Sequence, residues 1–117
     1  MGTRSVRLIA LDLDDTLLNA RLEISRRNRE TLERARRAGI RILIATGRMY
    51  RSALRYALSL ELDGPMIVCN GALIKTVAGE EILKRCVSFE HAVDVIRFDE
   101  AAGKAYVAYG KDCQVCY

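Results

Sequence analysis

The sequence has no tryptophan, a single proline and only 6% aromatic residues. No apolar run approaches the roughly 20 residues of a membrane-spanning helix, and none forms a signal-peptide h-region. A soluble, cytoplasmic protein is therefore expected. Neither sign of charge dominates: Lys plus Arg is 19, Asp plus Glu is 15, and the net charge is +4. That is below the basicity of a dedicated nucleic-acid binder. Cysteine is sparse as well: Cys69, Cys86, Cys113 and Cys116. Nothing marks secretion, so reduced thiols are expected. Cys113 and Cys116 form a C-x-x-C, a spacing used by zinc and redox sites. Their surroundings read as a strand, where side chains three apart face opposite ways, so both thiols are expected to be inert.

What remains is one small domain's length, 117 residues, half of it apolar and 29% charged. That composition folds around a modest core. Three short apolar runs, Val6 to Leu11, Arg41 to Ala45 and Met66 to Cys69, suit strands buried on both faces of a parallel sheet. Between the first two, Ser25 to Ala38 reads as a helix with Ser25 as N-cap and Gly39 as its stop. Leu32, Ala35 and Ala38 share one face with Asn28 and Thr31. Six arginines (26, 27, 29, 34, 36 and 37) occupy the other, and without interleaved aromatics they read as a solvated surface. A second helix, Met49 to Leu60, ends at Leu62-Asp63-Gly64-Pro65. Strand, helix, strand, helix, strand implies an α/β fold with right-handed crossovers.

After Gly71 the pattern changes. Glu80 to Val87 reads as a strand, Phe89 to Ala102 as a helix, and Lys104 to Tyr117 as one or two strands. Two domains are expected, 1–76 and 77–117, the second being the start of a further α/β module.

The polar residues at the strand ends carry the chemistry. The runs end at Asp12, Thr46 and Asn70, and the carboxyl edge of a parallel sheet is where such folds bind ligands. Asp12-Leu13-Asp14-Asp15-Thr16 places Asp12 and Asp14 on one side of an extended chain. Carboxylates so close repel, and a hard divalent cation such as Mg²⁺ offsets the repulsion. Thr46-Gly47-Arg48 opens the second helix with a hydroxyl, a close backbone approach and helix N–H groups, which is an anion site. Together these describe a phosphoryl-group site. Asn70-Gly71 by itself is a common turn.

These residues resemble the haloacid dehalogenase-like hydrolase superfamily. Leu8-Ile9-Ala10-Leu11-Asp12-Leu13-Asp14-Asp15-Thr16-Leu17-Leu18 matches its strand followed by D-x-D-x-T-L. Ile42-Leu43-Ile44-Ala45-Thr46-Gly47-Arg48 matches its strand ending in Thr or Ser. With Cys69-Asn70-Gly71-Ala72, the pattern is similar to the Cof-type phosphatase branch. The resemblance implies a three-layer Rossmann-like core, here incomplete, followed by the beginning of an α+β cap. It implies Asp12 as nucleophile forming an aspartyl-phosphate, and Asp14 as general acid and base. Mg²⁺ would sit on the Asp12 carboxylate and the Asp14 backbone carbonyl. Thr46 and Gly47 would bind phosphoryl oxygens, with Arg48, Asn70 and Gly71 bordering a small phosphorylated metabolite, sugar phosphates being the default. Asp15 stands where the family commonly has Gly. A family Lys and an acidic pair, which normally follow the cap, have no counterpart here. Impaired turnover is therefore expected, with two functional classes open: a Mg²⁺-dependent phosphatase, or an inactive module that binds phosphate, Mg²⁺ or a partner. A homodimer or a complementing C-terminal fragment is the expected partner, and neither nucleic acid nor membrane is.

Overall fold

The computed structural model describes residues 5–110 and the backbone of 115 and 116. Cys113 lies outside the described residues, as does the side chain of Cys116, so the C-x-x-C expectation is not addressed. Neither Cys69 nor Cys86 is in a disulfide.

The three apolar runs form strands, each somewhat shorter than its run: β1 (Leu8–Leu11), β2 (Arg41–Ile44) and β3 (Pro65–Val68). β1 and β2 are parallel, with Ile9 opposite Ile42 and Leu11 opposite Ile44. A parallel bridge between Ala45 and Ile67 joins β3 to the other side of β2. Helix α1 (Arg26–Arg37) starts where Ser25 Oγ accepts the Asn28 N–H at 3.1 Å. It stops at Gly39, whose φ of +81° is the left-handed conformation that glycine adopts without penalty. Helix α2 (Tyr50–Ser59) connects β2 to β3.

Helix α1 grips the C-terminal end of α2. Arg36 Nη1 donates to the carbonyls of Leu60 (2.7 Å) and Glu61 (3.1 Å), and Arg29 donates to that of Ser59. A guanidinium on carbonyls at a helix C-terminus satisfies acceptors the helix leaves open and complements its dipole. Two of the arginines read as a solvated surface thus hold α2 in place. Arg26 and Arg37 pair with Glu30 and Glu33 one turn away, exposed pairs of little energetic weight.

Burial follows the two-residue strand period. Ile42 and Ile44 on β2, and Met66 and Val68 on β3, are buried, while Arg41, Leu43, Pro65 and Ile67 are not. Leu13, Leu17, Leu18, Ala53, Tyr56, Ala57, Leu60 and Leu62 complete the core. Each large side chain fully buried there contributes about 1.5–3 kcal/mol. The expected burial on both sheet faces therefore holds on one face only. Leu8 is 52% exposed on β1, and its register partner is the exposed Arg41. The described residues supply helices for a single face.

β4 (Leu73–Thr76) and β5 (Glu81–Lys84) then form an antiparallel hairpin on β3, with a register shift at Ile74/Lys75. The 76/77 boundary expected from sequence falls within this hairpin. Compact units divide at Lys84/Arg85, and β5 hydrogen-bonds back to β4. The second unit contains α3 (Phe89–Ala101), capped by Ser88, and the antiparallel pair β6 (Ala108–Tyr109) and β7 (Val115–Cys116). No residue of α3 is buried, and Phe89 is 83% exposed. No helix among the described residues is long and apolar enough to cross a membrane.

Candidate functional site

Parallel pairing brings the ends of β1, β2 and β3 to one edge. The Ala45 N–H donates to Leu11 O (2.8 Å) and the Thr46 N–H to Ile67 O (2.9 Å). The residues after the three strands, Asp12, Thr46 and the Cys69–Asn70 turn, therefore emerge together.

Leu13 is wholly buried, and the aspartates on either side of it are exposed. The core holds the middle of Asp12-Leu13-Asp14 and turns both carboxylates outward. Asp12 Oδ1 accepts the Leu13 N–H at 2.8 Å, which fixes one carboxylate oxygen and leaves the group open to solvent. Asp14 is extended (φ −71°, ψ 135°), but Asp15 is left-handed (φ 55°, ψ 11°). A left-handed residue suits Gly best and Asp or Asn next, at a cost of about 1–2 kcal/mol. The chain then closes a wide turn, with the Leu18 N–H donating to Leu13 O at 2.9 Å. A small loop follows in which Asn19 Oδ1 accepts the N–H groups of Arg21 and Glu23.

Thr46 is the one buried polar residue among those described. Its Oγ1 accepts the Arg48 N–H at 3.2 Å, but α2 begins at Tyr50 with Met49 as N-cap and no side-chain cap bond, so Thr46-Gly47-Arg48 precedes the helix instead of opening it, contrary to the sequence expectation. Arg48 then reaches across to the first loop. Its Nε and Nη2 donate to Asp14 Oδ2 (2.7 Å) and Oδ1 (2.6 Å), and Nη1 donates to Ser52 Oγ (3.2 Å). The guanidinium lies 5.3 Å from the centre of the Tyr56 ring, within cation–π range. Tyr56 in turn donates its hydroxyl to Leu22 O at 3.2 Å. The hydrogen bonds from Arg48 hold the Asp14 carboxyl below the usual carboxylate range, partial burial opposing the shift. The same bonds raise the Arg48 pKa further above neutrality. An Asp14 held this way is ionised and accepts hydrogen bonds only.

Asn70 and Gly71 follow β3 in a turn of left-handed residues: Cys69 at φ +52°, Asn70 at +54° and Gly71 at +88°. The Cys69 N–H donates to Arg48 O (2.9 Å) and the Asn70 N–H to Thr46 O (3.3 Å). The strand-end residues singled out on sequence thus gather in one neighbourhood. Sequence reasoning missed Ser52 and Tyr56, the residues that orient Arg48. Ser52 and Tyr56 lie one turn apart on α2, four and eight residues after Arg48, and that was the signal available.

Among the described residues, no group of three or more His, Cys, Asp or Glu side chains could hold an ion. The oxygen donors of the first loop suit Mg²⁺ in kind, but they make only part of a shell.

A family model described as haloacid dehalogenase-like hydrolase matches residues 9–117. The 5-amino-6-(5-phospho-D-ribitylamino)uracil phosphatase YwtE of Bacillus subtilis is 38% identical over 104 residues, covering 89% of this chain and 32% of that protein. The pyridoxal phosphate phosphatase YbhA of Escherichia coli is 38% identical over 80 residues, covering 68% of this chain and 29% of that one. A crystal structure of a haloacid dehalogenase-like hydrolase from Bacteroides thetaiotaomicron superposes with a TM-score of 0.74 at 33% identity, over 85% of this chain and 39% of that one. The chain thus spans about a third of the length of the curated relatives it matches.

Proposed function

The chain belongs to the haloacid dehalogenase-like hydrolases, as an N-terminal part with the Rossmann-type α/β fold of that family, and from that premise we propose that it carries the nucleophile and phosphate-binding half of a phosphoric monoester hydrolase. The observation that supports this best is the edge where β1, β2 and β3 end. There the exposed Asp12 carboxylate emerges in the same neighbourhood as Thr46, whose buried hydroxyl accepts the Arg48 N–H in the segment that leads into α2.

In this reading Asp12 attacks phosphorus in line, the ester oxygen leaves, and an aspartyl-phosphate forms that water hydrolyses in a second step. Asp14 protonates the leaving oxygen and then takes a proton from the water. Its present pairing with Arg48 suits the second task. For the first it must part from the guanidinium and carry a proton. Thr46 and the Gly47 N–H bind phosphoryl oxygens, with Arg48, Asn70 and Gly71 at the border. Mg²⁺ would be held by the Asp12 carboxylate and the Asp14 backbone carbonyl, and would offset repulsion between the nucleophile and the phosphate dianion. The named relatives act on small phosphorylated compounds, and a substrate of that class is proposed here. Residues 77–117 are proposed as the start of the cap that selects it.

A second reading is favoured by the incomplete acidic set: a module that binds phosphate and Mg²⁺ without turnover until further polypeptide, a second copy or a complementing C-terminal segment, covers the open sheet face. Hydrolysis of p-nitrophenyl phosphate with Mg²⁺, run beside Asp12→Asn, separates the two. Loss of one preorganised charge from such a site slows the reaction a hundredfold or more, on the order of 3 kcal/mol. Turnover by the chain alone is therefore expected to be weak or nil. Robust turnover that Asp12→Asn leaves intact would defeat both readings.

A further inference from the structure

We propose that Asn70, besides bordering the substrate, is a positioning residue for the Thr46–Gly47–Arg48 segment, acting through the Gly47 peptide. The proposal rests on that segment being the phosphate-binding one. Every residue of the segment is touched by the turn after β3. The Asn70 N–H donates to Thr46 O at 3.3 Å, and the Cys69 N–H to Arg48 O at 2.9 Å. Between them, the Asn70 side-chain amide lies over Gly47. Its Oδ1 is 2.7 Å, its Cγ 3.4 Å and its Nδ2 3.6 Å from where a Cβ on Gly47 would stand.

Gly47 is not among the residues with positive φ, so its own backbone does not call for glycine. The neighbouring amide favours it: a Cβ on Gly47 would meet Asn70 Oδ1 at 2.7 Å, so the Asn70 amide would have to swing away. A side chain seated there limits how the Gly47 peptide can rotate. Gly47 is the link between Thr46, whose hydroxyl and carbonyl are both engaged, and Arg48, which grips Asp14. Cys69 and Asn70 hold the left-handed conformation while delivering these contacts, and such backbones persist where surrounding bonds over-determine them. Asparagine suits the position twice, since it tolerates a positive φ and brings an amide. The end of β3 is thereby coupled to the end of β2 and, through Arg48, to the aspartate loop after β1.

The test is a double-substitution cycle on the 117-residue chain with Gly47→Ala, Asn70→Gly and both together. Readouts are the Arg48 Nε–H resonance, the Asn70 side-chain amide resonance and the affinity for inorganic phosphate with Mg²⁺. Asn70→Gly keeps the left-handed backbone accessible, so it removes the side chain alone. Gly47→Ala is expected to displace the Asn70 amide, shift the Arg48 resonance and weaken phosphate on the order of tenfold, the scale of coupling between touching residues. In the Asn70→Gly background the same alanine is expected to change little further. Penalties that simply add, or a Gly47→Ala spectrum with Asn70 and Arg48 unmoved, would overturn the proposal. If Gly47→Ala does not fold, Asn70→Gly decides by itself: an unshifted Arg48 resonance overturns it. If the native chain binds no phosphate, the phosphate-site reading fails while the resonance cycle still decides the coupling.

Discussion

The Arg48 guanidinium grips both carboxylate oxygens of Asp14 across 34 residues of sequence, at 2.7 and 2.6 Å. The two ends of this fork differ. The Arg48 side chain is 18% exposed, packed by Tyr56 and Ser52, while that of Asp14 is 47% exposed. The arginine is the fixed member and the aspartate the one that can leave. A planar two-point grip of this kind is not reproduced by a lysine. Arg48→Lys is therefore expected to loosen Asp14 nearly as much as Arg48→Ala, seen as equal broadening of the Asp14 and Asp15 amide resonances. Full retention of wild-type line widths in the lysine variant would contradict the two-point account.

The same pair sets a pH dependence. The folded Asp14 carboxyl titrates below its ordinary value of 3.8, chiefly through the Arg48 hydrogen bonds. Its stabilising effect is therefore complete above that value and is lost as pH falls through the lower folded one. In urea melts, the midpoint difference between the native chain and Asp14→Asn should be largest near neutrality and vanish well below pH 4. An unchanged difference down to pH 2 would rule the coupling out. Because Asp14 is half in water, salt should shrink the difference too.

Thr46 offers a separate measure of the helix-entry geometry. Its buried hydroxyl accepts the Arg48 N–H. Thr46→Val keeps the shape and strands that donor, which costs about 1–3 kcal/mol when a partner is removed. A midpoint unchanged in urea would mean that water replaces the hydroxyl. Inorganic phosphate binding should fall in the same variant if the hydroxyl also reaches the ligand.

How far the sequence reveals this arrangement depends on distance along the chain. The three apolar runs and both connecting helices are legible because their signals are local: hydrophobic runs, the Ser25 cap, the Gly39 stop. The aspartate loop is legible because Leu13 alternates with Asp12 and Asp14. β5 is legible too, as the strand read over Glu80 to Val87, but β4 is not. Leu73-Ile74-Lys75-Thr76 has neither a clean alternation nor a fully buried residue, and its register shifts midway. What makes it a strand is pairing with β3, a tertiary fact. The Arg48–Asp14 fork is hidden for the same reason. Asp15 is intermediate: its replacement of a common glycine is visible in sequence, and the left-handed φ supplies the physical meaning.

The sheet face that carries Leu8 leads to a prediction about association. Leu8 and Val6 are both more than half exposed, and among the described residues β1 pairs with β2 alone. An open strand edge beside apolar side chains is a template for further pairing. Sedimentation of the isolated chain should show concentration-dependent association that Leu8→Lys reduces. A monodisperse monomer at high concentration, with or without that substitution, would mean the face is adequately solvated.

Tyr50 ties the start of α2 to the far end of β4, and it gives the last prediction. Its hydroxyl donates to the carbonyls of Thr76 (2.9 Å) and Val77 (3.2 Å), and the Lys75 ammonium lies 4.8 Å from its ring centre. Tyr50→Phe removes the donor and leaves those acceptors to water, a loss of about 0.5–1.5 kcal/mol. Burial raises the phenol above its ordinary 10.0, because an ionised phenolate is disfavoured there. The sign follows from linkage: a raised folded value means the contribution is complete below pH 10 and is lost as pH rises through the folded value. The stability advantage of the native chain over Tyr50→Phe should thus be constant from pH 6 to 9 and decline above 10. An advantage that grows above pH 10 would require the phenolate to be favoured in the fold, with the Lys75 ammonium outweighing burial.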